Sequence, residues 1–311
     1  MINSLRQIRN YVFTNFFELA DLVHYVNQRK YFRLASNELV KKAVSELQSD
    51  QSRNILLVSA HADDEVLGCM AIINAHRDAG ADINWLIAID GRNANGGHRN
   101  AMETAAHREK EALAVQASCG WNSCHWWGIP SPASDNEELR ERFVKLLNEV
   151  KPDLIYAPFP YNHHPEHRLM ARLVSELTPE SVPVRFYPIQ TPLTPVFTTA
   201  VYGNDELSRD TERVLKLYQS QRFMWRSFRA ALYLQKLEGI LYKKKVPIIS
   251  ICEFERGKRT ETVRGLLAAA ENETPQKPNR TSTLARDYLL LYAQAKRVKE
   301  LIGTPALNEG K

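Results

Sequence analysis

Two clusters of histidine and carboxylate side chains stand out in this chain of 311 residues. The first spans residues 61–65 and reads HADDE, and the second spans 163–167 and reads HHPEH. Imidazole and carboxylate groups together are typical ligands of zinc or a similar divalent ion. Catalytic sites of this kind commonly use three protein ligands and keep one position for water. The two clusters predict a single metal site, on the condition that the fold brings them together.

His61, Asp64 and His167 are the predicted ligands, because they combine the donor types of such a site. A bound metal ion would lower the pKa of its water to about 7. Asp63, next to the ligands but not one of them, would take the proton as that water attacks a carbonyl. An alternative is that the acids of 63–65 only cap a helix and face its dipole. That alternative explains the acids but neither His61 nor the second cluster.

The elements that must position these residues follow a regular alternation from residue 54 onwards. Predicted strands cover 55–60, 83–89, 125–127, 154–157, 184–189, 196–202 and 248–254. Predicted helices cover 65–79, 101–119, a segment from about Asn136 capped by Ser134 or Asp135, 208–228, 229–242 and 284–302, while 271–282 is typical of a surface loop. This alternation predicts a doubly wound, Rossmann-like α/β fold, with a mostly parallel sheet and helices on both faces. Ligands of such sheets bind at the carboxyl ends of the strands, where both clusters are expected.

The flanking sequence predicts the domain organisation. Residues 1–50 place apolar side chains at helical spacing and predict an N-terminal helical extension. That extension packs on the body of the protein or, through its aromatic and basic residues, contacts a membrane surface or a partner. Residues 51–311 are expected to form the remaining domain. No transmembrane helix is expected, since prolines interrupt the longest charge-free run, 186–204.

Composition and charge exclude several classes of protein. Hydrophobic residues make up 44% and charged residues 25%, as in ordinary globular proteins. A formal net charge of +5, without a basic strand interleaved with aromatic residues, argues against nucleic-acid binding. The four cysteines contain no CxxC pair and are expected to be free thiols, which favours a cytoplasmic location.

The two clusters also resemble a known family. HADDEVLGC at 61–69 after an apolar strand, with HPEH at 164–167, is similar to the AHPDDExLG and HPDH motifs of the LmbE/PIG-L family of metal-dependent N-acetylglucosamine deacetylases. The resemblance covers roughly residues 54–177. It implies Zn²⁺ or another divalent metal such as Fe²⁺, held by His61, Asp64 and His167. It also implies that Asp63 is the general base, and that His164 stabilises the tetrahedral intermediate or protonates the leaving amine.

The same resemblance adds candidates outside the two clusters. Asp90 matches the family's loop after the second strand, and Arg108 matches a helical arginine that faces sugar hydroxyls; a solvated helix face is the alternative for Arg108. Residues 218–221 resemble a Ser-Gln segment of the family. Ala62 replaces the usual proline, and Glu166 replaces the usual aspartate, which affects ligand orientation more than chemistry.

Motifs and resemblance together predict a hydrolase that removes the N-acetyl group from an N-acetylated amino sugar in a larger conjugate, either a small metabolite or a lipid- or nucleotide-linked sugar. One alternative is a deacylase of another N-acyl compound. Another is a non-catalytic carbohydrate-binding relative, which would need neither Asp63 nor His164. Segments before residue 54 and after residue 177 are expected to recognise the rest of the conjugate. Peripheral membrane contact and homo-oligomer formation stay open.

Overall fold

A computed structural model describes residues 52–94, 100–189, 200–202, 205–224, 228, 235, 249–273, 297–298 and 300–301. The predicted N-terminal extension 1–50, the helix 229–242 apart from one position, and most of the helix 284–302 lie outside the described residues. The four residues described near the carboxyl end are helical.

The described strands form one seven-stranded sheet in the order β3-β2-β1-β4-β5-β7-β6. Their bounds are β1 Asn54–Ser59, β2 Asp82–Ile89, β3 Ser123–Ile129, β4 Leu154–Pro158, β5 Val184–Tyr187, β6 Ala200–Tyr202 and β7 Ile249–Glu253. Strands β1 to β5 pair in parallel, and β7 pairs antiparallel with both β5 and β6. The chain therefore builds outwards from β1 to β3, returns to the other side of β1, and continues through β4 and β5.

Helices cover both faces of this sheet. Their bounds are α1 Asp64–Gly68, α2 Met70–Asp78, α3 Ala101–Cys119, α4 Glu137–Val150, α5 Pro165–Leu177, α6 Asp205–Leu215 and α7 Arg259–Glu273, with a 3₁₀ helix at Gln219–Met224. One core contains side chains of α4, α5 and α7, such as Phe143, Leu173 and Leu266. The other contains side chains of α1, α2, α3 and α6, such as Val66, Ile72, Val115 and Val214. The predicted doubly wound, mostly parallel fold is confirmed.

Three predicted helices differ from the structure. The helix 65–79 is divided at Cys69, whose backbone φ of −151° and ψ of 3° separate α1 from α2. Helix α4 is capped by Asn136, whose side chain accepts from the Leu139 N–H, and not by Ser134 or Asp135. The helix 208–228 is instead α6 followed by the 3₁₀ helix.

Helix α7 is the largest omission from the predictions, and its last residues occupy the start of the predicted loop 271–282. Its signal is present in the sequence, because Val263, Leu266, Leu267 and Ala270 recur at helical spacing and are all buried. The helix 101–119 agrees at both ends, where Asn100 caps the first turn and Gly120 adopts φ 65° after the last. All four cysteines are free thiols, as predicted.

The strand order reverses between β1 and β4, which are neighbours in the sheet although about a hundred residues separate them in the chain. Both predicted clusters follow these two strands, at their carboxyl ends. This is the position at which doubly wound folds bind ligands. Among the described helices, none is both long and apolar enough to cross a membrane.

Candidate metal centre

The loop after β1, residues 60–65, brings three acidic side chains into the interior. Asp63 has a backbone φ of 116°, a left-handed conformation that is costly for a residue other than glycine. It stands at the N-cap position of α1, yet its side chain makes no capping hydrogen bond. The Asp64 carboxylate accepts from the His61 N–H at 2.9 Å, and the Glu65 carboxylate accepts from the Asp63 N–H at 3.0 Å. The helix-cap alternative is therefore wrong for Asp63.

The loop after β4, residues 159–167, is closed by the start of α5. His164 is the N-cap, and its Nδ1 accepts from the Glu166 N–H at 3.4 Å. Pro165 occupies the first turn, where its missing N–H would have no helical partner. His167 follows one turn into the site and is buried. Short-range capping thus positions His164, and His167 lies one helical turn further along α5.

The two loops meet at the side chains predicted to hold the metal. His61 Nδ1 lies 3.4 Å from His167 Nε2. Asp64 Oδ1 lies 3.1 Å from His167 Nε2, and its Oδ2 lies 3.9 Å from His61 Nδ1. Ligand atoms about 2.05 Å from one tetrahedral zinc ion are separated from each other by about 3.3 Å. The spacing of the two histidine nitrogens and of His167 from Asp64 therefore suits a single ion, while Asp64 lies somewhat farther from His61 Nδ1.

His164 adds a third imidazole to the same place. Its ring centroid lies 4.8 Å from that of His61 and 4.9 Å from that of His167. One ring nitrogen from each of the three histidines can be chosen so that all lie within 4.8 Å of one another. The described residues thus contain a three-histidine cluster, with the Asp64 carboxylate in direct contact with two of its members.

Asp63 lies beside this cluster and next to a buried cation. Arg108, from α3, is 3% exposed, which excludes the solvated helix face as its environment. Its Nη2 donates to the Ala62 carbonyl at 2.7 Å and lies 3.7 Å from Asp63 Oδ2. Gly91 allows this approach, because a Cβ there would lie 2.6 Å from Arg108 Nε. The guanidinium therefore supports the β1 loop at Ala62 and Asp63.

Burial and neighbouring charges separate the pKa values of the two aspartates. Burial raises the pKa of Asp63 to about 7, although the Arg108 charge acts in the opposite direction. Burial also opposes ionisation of Asp64, but His167 and His61 outweigh it and hold the pKa of Asp64 well below its usual range. Burial and the charges of His167 and His61 lower the pKa of His164 to about 3. Asp64 is thus suited to metal binding and Asp63 to proton transfer.

A cavity of about 280 Å³ opens over the site. Its lining includes the five candidate residues of the two loops, together with Arg108, Asn93, Ser131 and Gln221. Those five are His61, Asp63, Asp64, His164 and His167. Asp90 is not in this lining, because it is 1% exposed and its carboxylate oxygens bind Arg92. The structure therefore brings six of the seven predicted site residues to the cavity lining. Asp90 is the one that does not reach it.

The sequence of the region that carries this site matches one family profile. Residues 56–178 match PIG-L, described as GlcNAc-PI de-N-acetylase, and this range includes both histidine and carboxylate loops. The chain contains a PIG-L family domain. The resemblance stated from the two motifs is confirmed.

Relatives of this PIG-L family domain include a curated deacetylase. The chain is 26% identical to the 1D-myo-inositol 2-acetamido-2-deoxy-α-D-glucopyranoside deacetylase of Kineococcus radiotolerans over 42% of its own length. The match covers 46% of that relative, so the chain spans less than half of its length.

Solved structures share the fold. The N,N′-diacetylchitobiose deacetylase of Pyrococcus horikoshii aligns with a TM-score of 0.57 and 18% identity, covering 66% of this chain and 84% of that one. A 4-carboxy-2-hydroxymuconate hydratase of Pseudomonas putida KT2440 aligns with a TM-score of 0.56 and 16% identity, covering 66% and 97%. One fold is thus found in proteins named for different reactions, and the residues of the site must distinguish between them.

One support of the site, Asn162, is absent from the sequence predictions, and a second, residues 218–221, is expected only from the family resemblance. Asn162 is fully buried between the site histidines, and its only sequence signal is an amide placed just before them. The Tyr218 hydroxyl donates to Glu65, and Ser220 donates to Glu111 through its N–H at 2.7 Å and through its hydroxyl. Residues 218–221 therefore fasten the β1 loop and α3 from a distant part of the chain and place Gln221 at the cavity.

Proposed function

We propose that this chain is a metal-dependent hydrolase that removes the N-acetyl group from an N-acetylated amino sugar. The observation that carries the proposal is the meeting of His61, Asp64 and His167 donor atoms with the Asp63 carboxylate beside them. Support also comes from the family profile, which is described as a GlcNAc-PI de-N-acetylase. Amide hydrolysis needs an activated water, a base and a donor to the developing oxyanion, and the cavity contains groups suited to each role.

His61, Asp64 and His167 would hold the metal ion, since two imidazole nitrogens and one carboxylate oxygen at this spacing suit Zn²⁺ and also Fe²⁺. When bound, the ion supplies an activated water and polarises the acetyl carbonyl. His164 is the competing third nitrogen, but its Nδ1 already accepts the helix-capping hydrogen bond. We therefore assign Asp64, and not His164, to the metal.

Asp63 would accept the proton of the attacking water. Its carboxylate lines the cavity beside the ligands and makes no capping hydrogen bond, although Asp63 is the N-cap residue of α1. A base works best when its pKa lies close to the working pH, and burial raises the pKa of Asp63 to about 7. Arg108 keeps the ionised form accessible by placing a positive charge 3.7 Å away.

His164 would donate a hydrogen bond to the acetyl oxygen as negative charge develops there. Because its Nδ1 accepts from the Glu166 N–H, the ring proton of neutral His164 lies on Nε2. A pKa of about 3 keeps the ring neutral near pH 7. Of the two roles predicted from the family, oxyanion stabilisation therefore fits His164 better than protonation of the leaving amine.

The substrate would be a conjugate of which the cavity holds one part. A volume of about 280 Å³ is small for a ligand site and suits one sugar ring with its acetyl group. Arg108, Asn93 and Gln221 offer polar contacts to sugar hydroxyls, while Asp90 would act indirectly by holding Arg92. The rest of the conjugate, as a lipid- or nucleotide-linked sugar or a smaller metabolite, would contact segments outside 54–177. A cytoplasmic location and a homo-oligomer stay predictions.

The proposal is tested by release of acetate and free amine from N-acetylated monosaccharides, nucleotide sugars and lipid-linked sugars, with added Zn²⁺ or Fe²⁺. We expect equal amounts of acetate and amine, and a higher kcat/KM on a conjugate than on free N-acetylglucosamine, because remote contacts stabilise the transition state. Equal kcat/KM on the monosaccharide and on every conjugate would contradict the proposed preference for a conjugate. It would not contradict the proposed deacetylation.

The control for the reaction is Asp63→Asn, which removes the base without shortening the side chain. Sugar binding without acetate release in the native protein would instead support a carbohydrate-binding relative. Hydration of an unsaturated acid without amide hydrolysis would place the chain with the hydratase that shares its fold.

A further inference from the structure

We propose that Glu166 and Asn162 select the ring nitrogen with which each ligand histidine binds the metal, Nδ1 for His61 and Nε2 for His167. The proposal rests on the metal site of the proposed function. Both are positioning residues, because each acts through a histidine. A histidine is a good ligand only when the nitrogen facing the metal lacks a proton, and a hydrogen bond from the other nitrogen secures this.

Glu166 accepts hydrogen bonds through both of its carboxylate oxygens. Its Oε2 lies 2.6 Å from His61 Nε2, and its Oε1 accepts from the Ala133 N–H at 3.0 Å. The same Oε2 is 3.8 Å from His164 Nδ1, which is too far for a hydrogen bond. The carboxylate therefore orients His61, and it does so from a position fixed by the loop after β3. An ionised carboxylate only accepts, so the proton of His61 lies on Nε2 and Nδ1 is free for the metal.

Asn162 performs the equivalent task for His167. Its Oδ1 lies 2.9 Å from the His164 backbone nitrogen and 3.1 Å from His167 Nδ1. The backbone N–H can only donate, so this contact identifies the nearby Asn162 atom as the oxygen. The His167 proton must then lie on Nδ1, which leaves Nε2 unprotonated towards Asp64 and His61. Asn162 is fully buried, so water cannot replace this acceptor.

The two selected nitrogens face each other at 3.4 Å, with a carboxylate oxygen 3.1 Å from one of them. Two lone pairs and a negative oxygen repel one another at this distance unless a cation lies between them. Glu166 and Asn162 thus commit the site to a cation. A shared proton would relieve this repulsion less completely than a metal ion, because a proton can bridge two of the three lone-pair atoms but not all three.

The test is the affinity for Zn²⁺, measured by competition with a chromophoric chelator. We expect Asn162→Leu, which removes the acceptor, to bind Zn²⁺ about 10- to 100-fold more weakly. Asn162→Asp keeps an acceptor oxygen and is expected to bind at least as tightly as the native protein. Glu166→Gln keeps only one of the two acceptor oxygens and is expected to lose affinity in the same range.

Matched controls separate positioning from folding. Asn74 is equally buried and accepts from Trp121 Nε1 at 3.0 Å, so Asn74→Leu removes a similar bond away from the cavity. Glu176 lies on the same helix as Glu166 and accepts from Arg140, so Glu176→Gln is the control for charge. We expect both controls to keep native Zn²⁺ affinity. Thermal unfolding of each metal-free variant measures any loss of stability.

A spectroscopic measurement addresses the nitrogens directly. Imidazole ¹⁵N shifts of the Zn²⁺-loaded protein should show coordination through Nδ1 of His61 and Nε2 of His167. The opposite assignment for either ring would overturn the proposal, as would native Zn²⁺ affinity in Asn162→Leu and Glu166→Gln. Zn²⁺ binding with the expected variant effects but no deacetylation would leave this inference intact and overturn the proposed function.

Discussion

The two loops that meet at the site are stabilised in different ways. The β4 loop is held largely by its own residues, since Asn162, the His164 cap and the first turn of α5 form one local network. The β1 loop depends on distant elements, because Arg108 comes from α3 and Tyr218 from the segment before the 3₁₀ helix. The β1 loop also contains the unfavourable backbone of Asp63.

This difference indicates that the two loops have different roles in the site. In the proposed function, the β4 loop would supply groups whose orientation matters, namely one ligand and the oxyanion donor. The β1 loop would supply the general base, whose backbone is in an unfavourable conformation that remote contacts must maintain. Strain of this kind persists only where the surrounding structure determines it, and buried polar contacts from two other elements provide that here.

The largest effect is expected from removing one ligand from each loop. His61→Ala and His167→Ala should each abolish Zn²⁺ binding, because a single ion shared between the loops cannot be held by one loop alone. Elemental analysis after dialysis measures the bound metal, with His125→Ala on β3 as a control. Full Zn²⁺ occupancy in either variant would show that the two loops do not share one metal ion.

A smaller effect is expected from removing the base. Asp63→Asn should lower kcat by about 10²- to 10⁴-fold while the metal stays bound, since only proton transfer is lost. Asp64→Asn, one residue later, should lose the metal instead. If the metal content of these two variants were reversed, the roles of Asp63 and Asp64 would have to be exchanged.

A moderate effect is expected from disturbing the remote support of the β1 loop. Gly91→Ala would place a Cβ 2.6 Å from Arg108 Nε and displace the guanidinium from the Ala62 carbonyl. We expect kcat/KM to fall roughly 10- to 100-fold through misplacement of Asp63. Gly257→Ala is the matched control, because its φ of +78° resembles the +62° of Gly91 but no atom lies within 4 Å of the added Cβ. Equal losses in both variants would attribute the effect to backbone strain alone.

The smallest effect on turnover is expected at Glu65, where the change lies in the pH dependence of stability. Burial raises the pKa of Glu65 from 4.5 to about 8, so the folded protein keeps a proton that the unfolded chain releases. Stability from this group is therefore full below pH 4.5 and declines as the pH rises towards 8, by at most about 1.4 kcal/mol per pH unit. Glu65→Gln should remove this decline.

Denaturant unfolding of the metal-free native protein and of Glu65→Gln, at pH 5 and pH 8, measures the change. The native protein should lose more stability between these two values than the variant. A parallel decline in both proteins would show that Glu65 is ionised throughout, and that its hydrogen bond from Tyr218 is made to a carboxylate.

The features that could be predicted from the sequence are those that depend on neighbouring residues. Those that depend on distant contacts could not be predicted. The donor types in the two loops, the parallel strands before them and the ends of α3 are local signals, and they agree with the structure. The break at Cys69 is not local, because it follows Gly68, where a Cβ would lie 2.1 Å from Tyr187 Cδ2 on β5. A contact between residues so distant in sequence leaves no periodicity to detect.

The individual site residues show the same limit. Arg108 could be predicted as a functional arginine, but its bond to the Ala62 carbonyl depends on how α3 packs against the β1 loop. The position of Asp90 after β2 could be predicted. The sequence did not indicate that its carboxylate accepts from Arg92 instead of lining the cavity. Asn162 has no spacing signal, because its role depends on the tautomer of His167.

The adjacency of β1 and β4 also has a consequence for the order of folding. Leu57 pairs with Tyr156, so this pair forms only after about a hundred intervening residues have closed into a loop. A metal ion held as proposed would bind tightly only to a chain in which that closure is complete, and it would therefore add stability to the assembled sheet and none to partly folded chains. Metal uptake during refolding would consequently trail formation of the helices, and its rate would report the arrival of β4 beside β1.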